Sequence, residues 1–210
     1  MMLAGAMSGN RDLYLAGTGS FSQEVAEWAN EAGWTVAGRL ELGGRAAGGR
    51  IADPPILDRS AIPAGSHVAI AAGGDRAAHH GALGAAWFVA GTVIHPLAHV
   101  SPSARLGPGC IVGPRAVVGA GATVGEHTLI SRGALLGHHV RVGSFASLLP
   151  GINIGGNAQV GDRAVVGMGA VIVNATSVGS DVTVAAGAVV LKAVPDGRRV
   201  QGVPAREYRT

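Results

Sequence analysis

Residues 135–173 read LLGHHVRVGSFASLLPGINIGGNAQVGDRAVVGMGAVIV. With the register set on Leu136, every sixth residue is aliphatic: Val142, Leu148, Ile154, Val160, Val166 and Ile172. Carried outward in both directions, the same step runs through Val100, Leu106, Val112, Val118, Val124 and Ile130 on one side and Val178, Val184 and Val190 on the other, without a break. The residue after the aliphatic is usually glycine, as at Gly107, Gly113, Gly125, Gly143, Gly161 and Gly179. Four places after it the residue is mostly small, as at Ala104, Cys110, Ala116, Ala134, Ala146, Ala164 and Ala188. One inward aliphatic, one turn glycine and one small residue per hexad is the signature of a parallel β-helix built from hexapeptide repeats. Three hexads close one triangular coil, so residues 18 apart stack, with strands of adjacent coils about 4.8 Å apart. The run from Val100 to Val189 holds fifteen hexads, hence five coils, and no hexad is interrupted, so no long loop leaves the helix.

Ahead of the repeat the grammar changes. Leu13–Ala16 reads as a short strand, Gly17-Thr18-Gly19-Ser20 as a turn, and Ser22–Ala32 as a helix with Val25, Ala26, Trp28 and Ala29 inward, stopped by Gly33. Thr35–Leu40 and Val68–Ala71 read as further strands, the latter running into Gly73-Gly74-Asp75, and Arg76–Leu83 as a short helix. Alternating strands and helices predict a small parallel sheet, a Rossmann-like α/β domain. The division is therefore 1–92 for the α/β domain, 93–194 for the β-helix and 195–210 for a C-terminal tail. Met7 reads as an alternative start, and Met1–Ala6 are set aside from the fold reading.

Composition narrows the function. Aromatics are 4% against 48% hydrophobic residues, and glycines number 35, which suits a repetitive β interior of Val, Ile, Leu and Ala. The net charge is +3 with no basic run, which argues against a nucleic-acid partner. No apolar run reaches membrane-spanning length, and the lone Cys110 excludes an internal disulfide, so a cytoplasmic protein is expected.

The order of four parts is similar to that of the hexapeptide-repeat sugar acyltransferases, which include the sialic acid O-acetyltransferases and the bacillosamine-type and perosamine-type nucleotide-sugar N-acetyltransferases. The parts are the N-terminal α/β domain, the Ile94-His95-Pro96 junction, the segment Gly137-His138-His139-Val140-Arg141-Val142-Gly143, and the closing Gly202-Val203-Pro204-Ala205-Arg206. The resemblance implies a left-handed β-helix, a homotrimer with active sites between neighbouring helices, acetyl-CoA as co-substrate, and a nucleotide-linked amino sugar held by the first domain. It implies a place in O-antigen or surface polysaccharide biosynthesis.

Of the eight histidines, His138 occupies the third place of its hexad, a corner where a side chain need not enter the core. It also falls where the family keeps its catalytic base. An imidazole accepts a proton near neutral pH, and an amine nucleophile must lose one. His67, His79, His80, His99 and His127 read as solvated surface. The tetrahedral intermediate needs a hydrogen-bond donor, and the resemblance assigns the Gly156 N–H, which the 18-residue spacing stacks on His138. The family usually follows its base with Glu or Asp, which orients the ring; here His139 stands there, so orientation must come from a backbone carbonyl or another group, for which Asn157, 18 residues beyond His139, is a candidate. Ser147 occupies a site where relatives place a histidine on the acetyl carbonyl.

For acetyl-CoA the matching positions are Met168 and Ala186, with Ala185 leaving room for the pantetheine arm and Lys192 and Arg206 able to meet its phosphates. Gly17, Gly19, Ser20 and Phe21 form a loop that follows a strand and opens a helix, as a diphosphate cradle does. Gly73 ends the next strand but one, and Glu41 ends the second strand at the spacing of a ribose-reading acid.

The expectation is an acetyl-CoA-dependent N-acetyltransferase acting on a GDP- or UDP-linked 4-amino sugar, with no metal. O-acetylation is the alternative within the family. A γ-class carbonic anhydrase needs three histidines on zinc, yet no two here are 18 apart. A non-catalytic β-helix scaffold would have no use for the N-terminal loop.

Overall fold

The computed structural model describes residues 11–41, 54–72, 75–84 and 86–208. β1 (Asp12–Ala16) buries Leu13 and Leu15 completely and pairs in parallel with β2 (Thr35–Leu40) on one side and β4 (His67–Ile70) on the other. With β3 (Ile56–Leu57) and β5 (Val89–Ala90) this makes a five-stranded sheet of order β3-β2-β1-β4-β5, in which every pair is parallel. α1 spans Ser20–Glu31, two residues earlier than its sequence suggested. The reason is Ser22: its hydroxyl does not cap the helix but donates to Gly19 O at 2.6 Å and accepts from Arg39 Nη1 at 2.6 Å. The helix stops where Gly33 takes φ +82, a left-handed conformation that glycine adopts at no steric cost. α2 (Arg76–Leu83) begins at Asp75, whose carboxylate accepts from the Ala78 N–H at 3.0 Å.

From Val93 onward each hexad contributes one two-residue strand to one of three walls. Wall one stacks the strands that begin at Val93, Ile111, Leu129, Ser147, Val165 and Thr183; wall two those at His99, Val117, Leu135, Asn153, Val171 and Val189; wall three those at Arg105, Thr123, Arg141, Gln159 and Ser177. Register partners are 18 residues apart, as in Val118↔Leu136 and Val142↔Val160. From Val100 onward the second residue of each hexad strand faces the interior, where the hexad aliphatics and the small Cys110, Ala116, Ala134, Ala146 and Ala164 form one continuous core. The architecture is a parallel β-helix preceded by a parallel sheet.

The helix does not end at 194 in a tail. Arg199–Gln201 pairs in parallel with Thr183–Val184 on wall one, and Arg206–Glu207 folds back on it antiparallel. Register drops from 18 residues in Ile172↔Val190 to 16 in Val178↔Val194 and Val184↔Val200, so the shortening lies between Val190 and Val194. Val200, 5% exposed, then carries the core one rung further.

The first sheet docks on wall one. Val25, Ala26, Trp28 and Ala29 of α1 pack with Leu13 and Leu15 on its inner side and with Val93, Ile111 and Leu129 of wall one. His95 is buried; its Nδ1 accepts from the Leu97 N–H at 3.0 Å, which directs its Nε2 at the Glu31 carboxylate 3.0 Å away. The Arg76 guanidinium, also buried, bridges the two parts by donating from Nε to His127 O at 2.8 Å and from Nη1 to Ala72 O at 3.1 Å. Burial lowers its pKa to about 10, and it stays protonated at neutral pH. Among the described residues no helix is long and apolar enough to cross a membrane.

Candidate active site

The three walls meet at three edges, and each edge is a column of turn residues repeating every coil. His138 lies in the turn Gly137–Val140 between wall two and wall three, on the edge that also carries Ala120, Gly156 and Asn174. The spacing expectation for Gly156 holds in three dimensions: a Cβ built on Gly156 would lie 2.5 Å from the His138 Nε2. The imidazole therefore lies directly over the Gly156 backbone, in room that only a missing side chain provides. Among the described residues, the Gly155 N–H donates to Ile172 O and the Asn157 N–H to His138 O, whereas the Gly156 N–H between them has no backbone acceptor.

The ring partner of His138 is His139. Their Nδ1 atoms are 3.2 Å apart, with the rings tilted by 77°. His139 has φ +55, and its ring turns the other way, over Gly121 of the previous coil, where a Cβ would come within 2.9 Å. Asn157 meets His138 through its backbone, its N–H donating to the His138 carbonyl at 2.9 Å, so the group against the His138 ring nitrogen is His139 and not the Asn157 side chain. Both histidines are exposed on the single chain.

The other expected residues fall elsewhere. Ser147 is buried on wall one, one rung beyond Leu129 in the ladder that α1 covers. Met168, 55% exposed, and Ala186 sit on the edge between walls one and two, with Ala185 beside them. Lys192 follows the last strand of wall two and so crowns the His138 edge, and it lines a cavity of about 260 Å³ together with Leu191, Arg198, Pro204, Arg206 and Glu207. Within one chain the structure thus joins His138 to His139 and Gly156, and Lys192 to Arg206, but it does not join His138 to Ser147 or Met168.

The N-terminal loop leaves β1 at Gly17, whose φ is +140 and whose Cβ, if present, would lie 2.5 Å from Ala71 O. Only glycine lets the loop cross the end of β4 this closely. Gly19 is the N-cap of α1, Ser20 its first residue, and Phe21 packs edge-on against Trp28 with centroids 6.1 Å apart. Glu41 follows the last residue of β2, and Gly73 lies outside the described residues.

One cluster escaped sequence reading. His127 is not a solvated surface residue but is 2% exposed. Its ring stacks on Phe145 at 5.4 Å, meets His80 at 4.6 Å, and is held near pKa 4 by burial and by His80 and Arg76. Positions 127, 145, 163 and 181 form one edge column, continued by an Arg163–Asp181 pair bonded twice at 2.7 Å; the 18-residue step was the available signal. Among the described residues no three His, Cys, Asp or Glu side chains converge as a metal site.

Residues 91–195 match the protein family described as GMPPB C-terminal domain. A search of curated protein sequences finds no significant match. Among solved structures, the acetyltransferase domain of PglB from Neisseria gonorrhoeae FA1090, in complex with acetyl coenzyme A, is 32% identical over 95% of this chain and 100% of that one, with a TM-score of 0.81. A histidine-to-alanine mutant of GDP-perosamine N-acetyltransferase from Caulobacter crescentus, in complex with CoA and GDP-perosamine, is 28% identical over 98% of this chain and 99% of that one, with a TM-score of 0.82. WeeI from Acinetobacter baumannii AYE shares the fold at 20% identity, 93% and 99% coverage and a TM-score of 0.73. By sequence identity over nearly its whole length, and by a β-helix that carries a histidine at a free edge, the chain belongs to the hexapeptide-repeat sugar acyltransferases.

Proposed function

We propose that the protein transfers the acetyl group of acetyl-CoA to the amine of a GDP- or UDP-linked 4-amino sugar, with His138 as general base. The observation that carries the reading is the His138 imidazole lying over Gly156 on an exposed edge. There a base and an unused backbone N–H stand within one residue's reach of the same point. The His138 Nε2 takes a proton from the sugar nitrogen as that nitrogen attacks the thioester carbon. The Gly156 N–H donates to the oxyanion of the tetrahedral intermediate. Collapse expels the CoA thiolate, which recovers the proton from His138, leaving an amide and free thiol. Lys192 and Arg206 line one cavity beyond the last coil of the His138 edge, two cations close enough to serve one phosphate group, which supports reading them as contacts for the CoA phosphates.

The first 92 residues are read as a Rossmann-like nucleotide-sugar domain. The order β3-β2-β1-β4-β5 puts a switch point between β1 and β4, and the crevice at the strands' C-terminal ends is where such sheets bind ligands. The Gly17–Phe21 loop borders that crevice. The β-helix is read as left-handed and the assembly as a cytoplasmic homotrimer. Topology supports assembly: α1 covers wall one, whereas His138 lies on the opposite edge, between walls two and three. A sugar held by the first domain reaches a His138 only if that histidine belongs to another copy. Similarity to proteins solved with acetyl-CoA, or with CoA and GDP-perosamine, supports the ligand classes.

The deciding experiment is thiol release from acetyl-CoA across GDP-, UDP- and dTDP-linked 4-amino sugars, the free amino sugars and the matching 4-hydroxy nucleotide sugars. The reading predicts the highest kcat/KM with a GDP- or UDP-linked amine. A preference for the hydroxyl compounds would assign O-acetylation instead, and no thiol release with any acceptor would overturn the transferase reading of this chain.

A further inference from the structure

The contact between the two histidines at the edge has a chemical consequence that rests on His138 being the base. Their Nδ1 atoms are 3.2 Å apart, a hydrogen-bond distance that requires one proton between two nitrogens. Two neutral arrangements satisfy it. In the first, His138 carries its proton on Nδ1 and donates to His139, and its Nε2 lone pair, the atom that lies over Gly156, is free to act. In the second, His139 donates, His138 carries its proton on Nε2, and the nitrogen above Gly156 is a donor that takes no proton. Only the first is productive.

The reaction itself selects the first. Once His138 holds a second proton, both its nitrogens are donors, and only the bare His139 Nδ1 can answer the one turned toward it. That bond is charge-assisted, hence stronger than its neutral counterpart. It therefore strengthens as positive charge develops on His138 in the transition state, which is the condition for raising kcat and not merely binding.

The geometry points to His139 as a positioning residue: its Nδ1 accepts the His138 Nδ1–H, fixes the reactive tautomer and stabilises the imidazolium without a carboxylate. The local backbone agrees with such a specialised role. His139 shares its turn position with Gly121, Asn157 and Ala175 of other coils, all with positive φ, between +56 and +67. Those neighbours serve the turn with no side chain, an amide or a methyl group. An imidazole is therefore not demanded by the turn; its ring lies over Gly121 with its Nδ1 turned to His138.

The same comparison supplies the test. Asn and Ala already occupy the equivalent turn elsewhere in this chain, so His139→Asn and His139→Ala are compatible with folding. Asn keeps an acceptor oxygen close to the position of Nδ1, Asp keeps it with a charge, and Ala removes it. We expect His139→Ala to lower kcat by about 10- to 100-fold, the scale seen when a group orienting a functional histidine is removed. KM for acetyl-CoA and for the sugar should stay within about threefold. His139→Asn should recover most of the lost kcat, and His139→Asp should match or exceed the parent. His138→Ala, measured alongside, separates the two claims. If it keeps near-parent turnover, the assignment of the base fails. If it is inactive while His139→Ala keeps the parent kcat, or loses only KM, the base stands and the positioning role is overturned. Loss of kcat in His139→Ala that neither Asn nor Asp restores would also overturn it, since an acceptor at that place would then not be what matters.

Discussion

At the scale of the residue, what distinguishes the candidate site is an absence of atoms. Gly156 has no positive φ to explain it, unlike Gly151 or Gly169 on another edge; it is glycine because the His138 ring occupies the space of its side chain. Gly156→Ala should leave the fold intact but displace the imidazole, whose Nε2 lies 2.5 Å from the new methyl carbon. The expected result is a loss of about 100-fold or more in kcat, since a displacement near 1 Å costs that much in reaction geometry, with a melting temperature close to that of the parent. Unchanged kcat would mean that the ring position seen here is not the working one.

His127 makes a different residue-level prediction. Its pKa is about 4 in the folded chain against an ordinary 6.5, because burial among Phe145, Phe88 and His80 disfavours the charged form. The unfolded chain takes up the proton first, so the stability it contributes is present above pH 6.5 and is lost as pH falls toward 4. The full loss is up to roughly 3 kcal/mol. Urea unfolding at pH 7.0 and 4.5 should show that decline in the parent and a shallower one in His127→Phe, which keeps an aromatic ring on Phe145. Equal slopes for the two proteins would remove His127 as the cause.

At the scale of the element, each coil is a layer that buries one aliphatic from each wall, with little space between layers. Val160 is 3% exposed and pairs in register with Val142 and Val178. Val160→Asp would put a carboxylate among hydrocarbon with no partner, at a cost of roughly 4 kcal/mol or more. Thr123→Asp, on the exposed outer side of wall three, should change stability by less than about 0.5 kcal/mol. A folded, active Val160→Asp protein would contradict the inward register.

At the scale of the whole molecule, the first domain and His138 lie on opposite sides of the prism. The proposed site, which combines both, would draw them from different copies. Two variants, each inactive alone, test this: His138→Ala, and Gly17→Val, which closes the crossing of the first loop over Ala71. Mixed assemblies of the two should regain activity in about a quarter of their sites, because some sites then combine an intact loop with an intact His138. If mixing restores nothing, each site is complete within one chain.

The 18-residue step is why so much of the helix was legible in its sequence. In a solenoid, neighbours in space are neighbours at a constant sequence offset, so the period alone assigned Val142 to the core, His138 to a corner and Gly156 to the place above it. The first sheet was legible through its alternation of strands and helices, though Ser22 misled the start of α1 because its hydroxyl serves Arg39. Contacts without a period were invisible. No offset relates Arg76 to the carbonyl of His127 or Trp28 to wall one, so burial of His127 and the choice of the docked wall emerged only in the fold. The shortened step after Val190 kept Val200 in the core where the unaltered period would not have placed it. The meeting of the His138 and His139 rings depends on side-chain torsions at a left-handed turn, and these are decided by packing in three dimensions, which the order of residues along the chain does not encode locally.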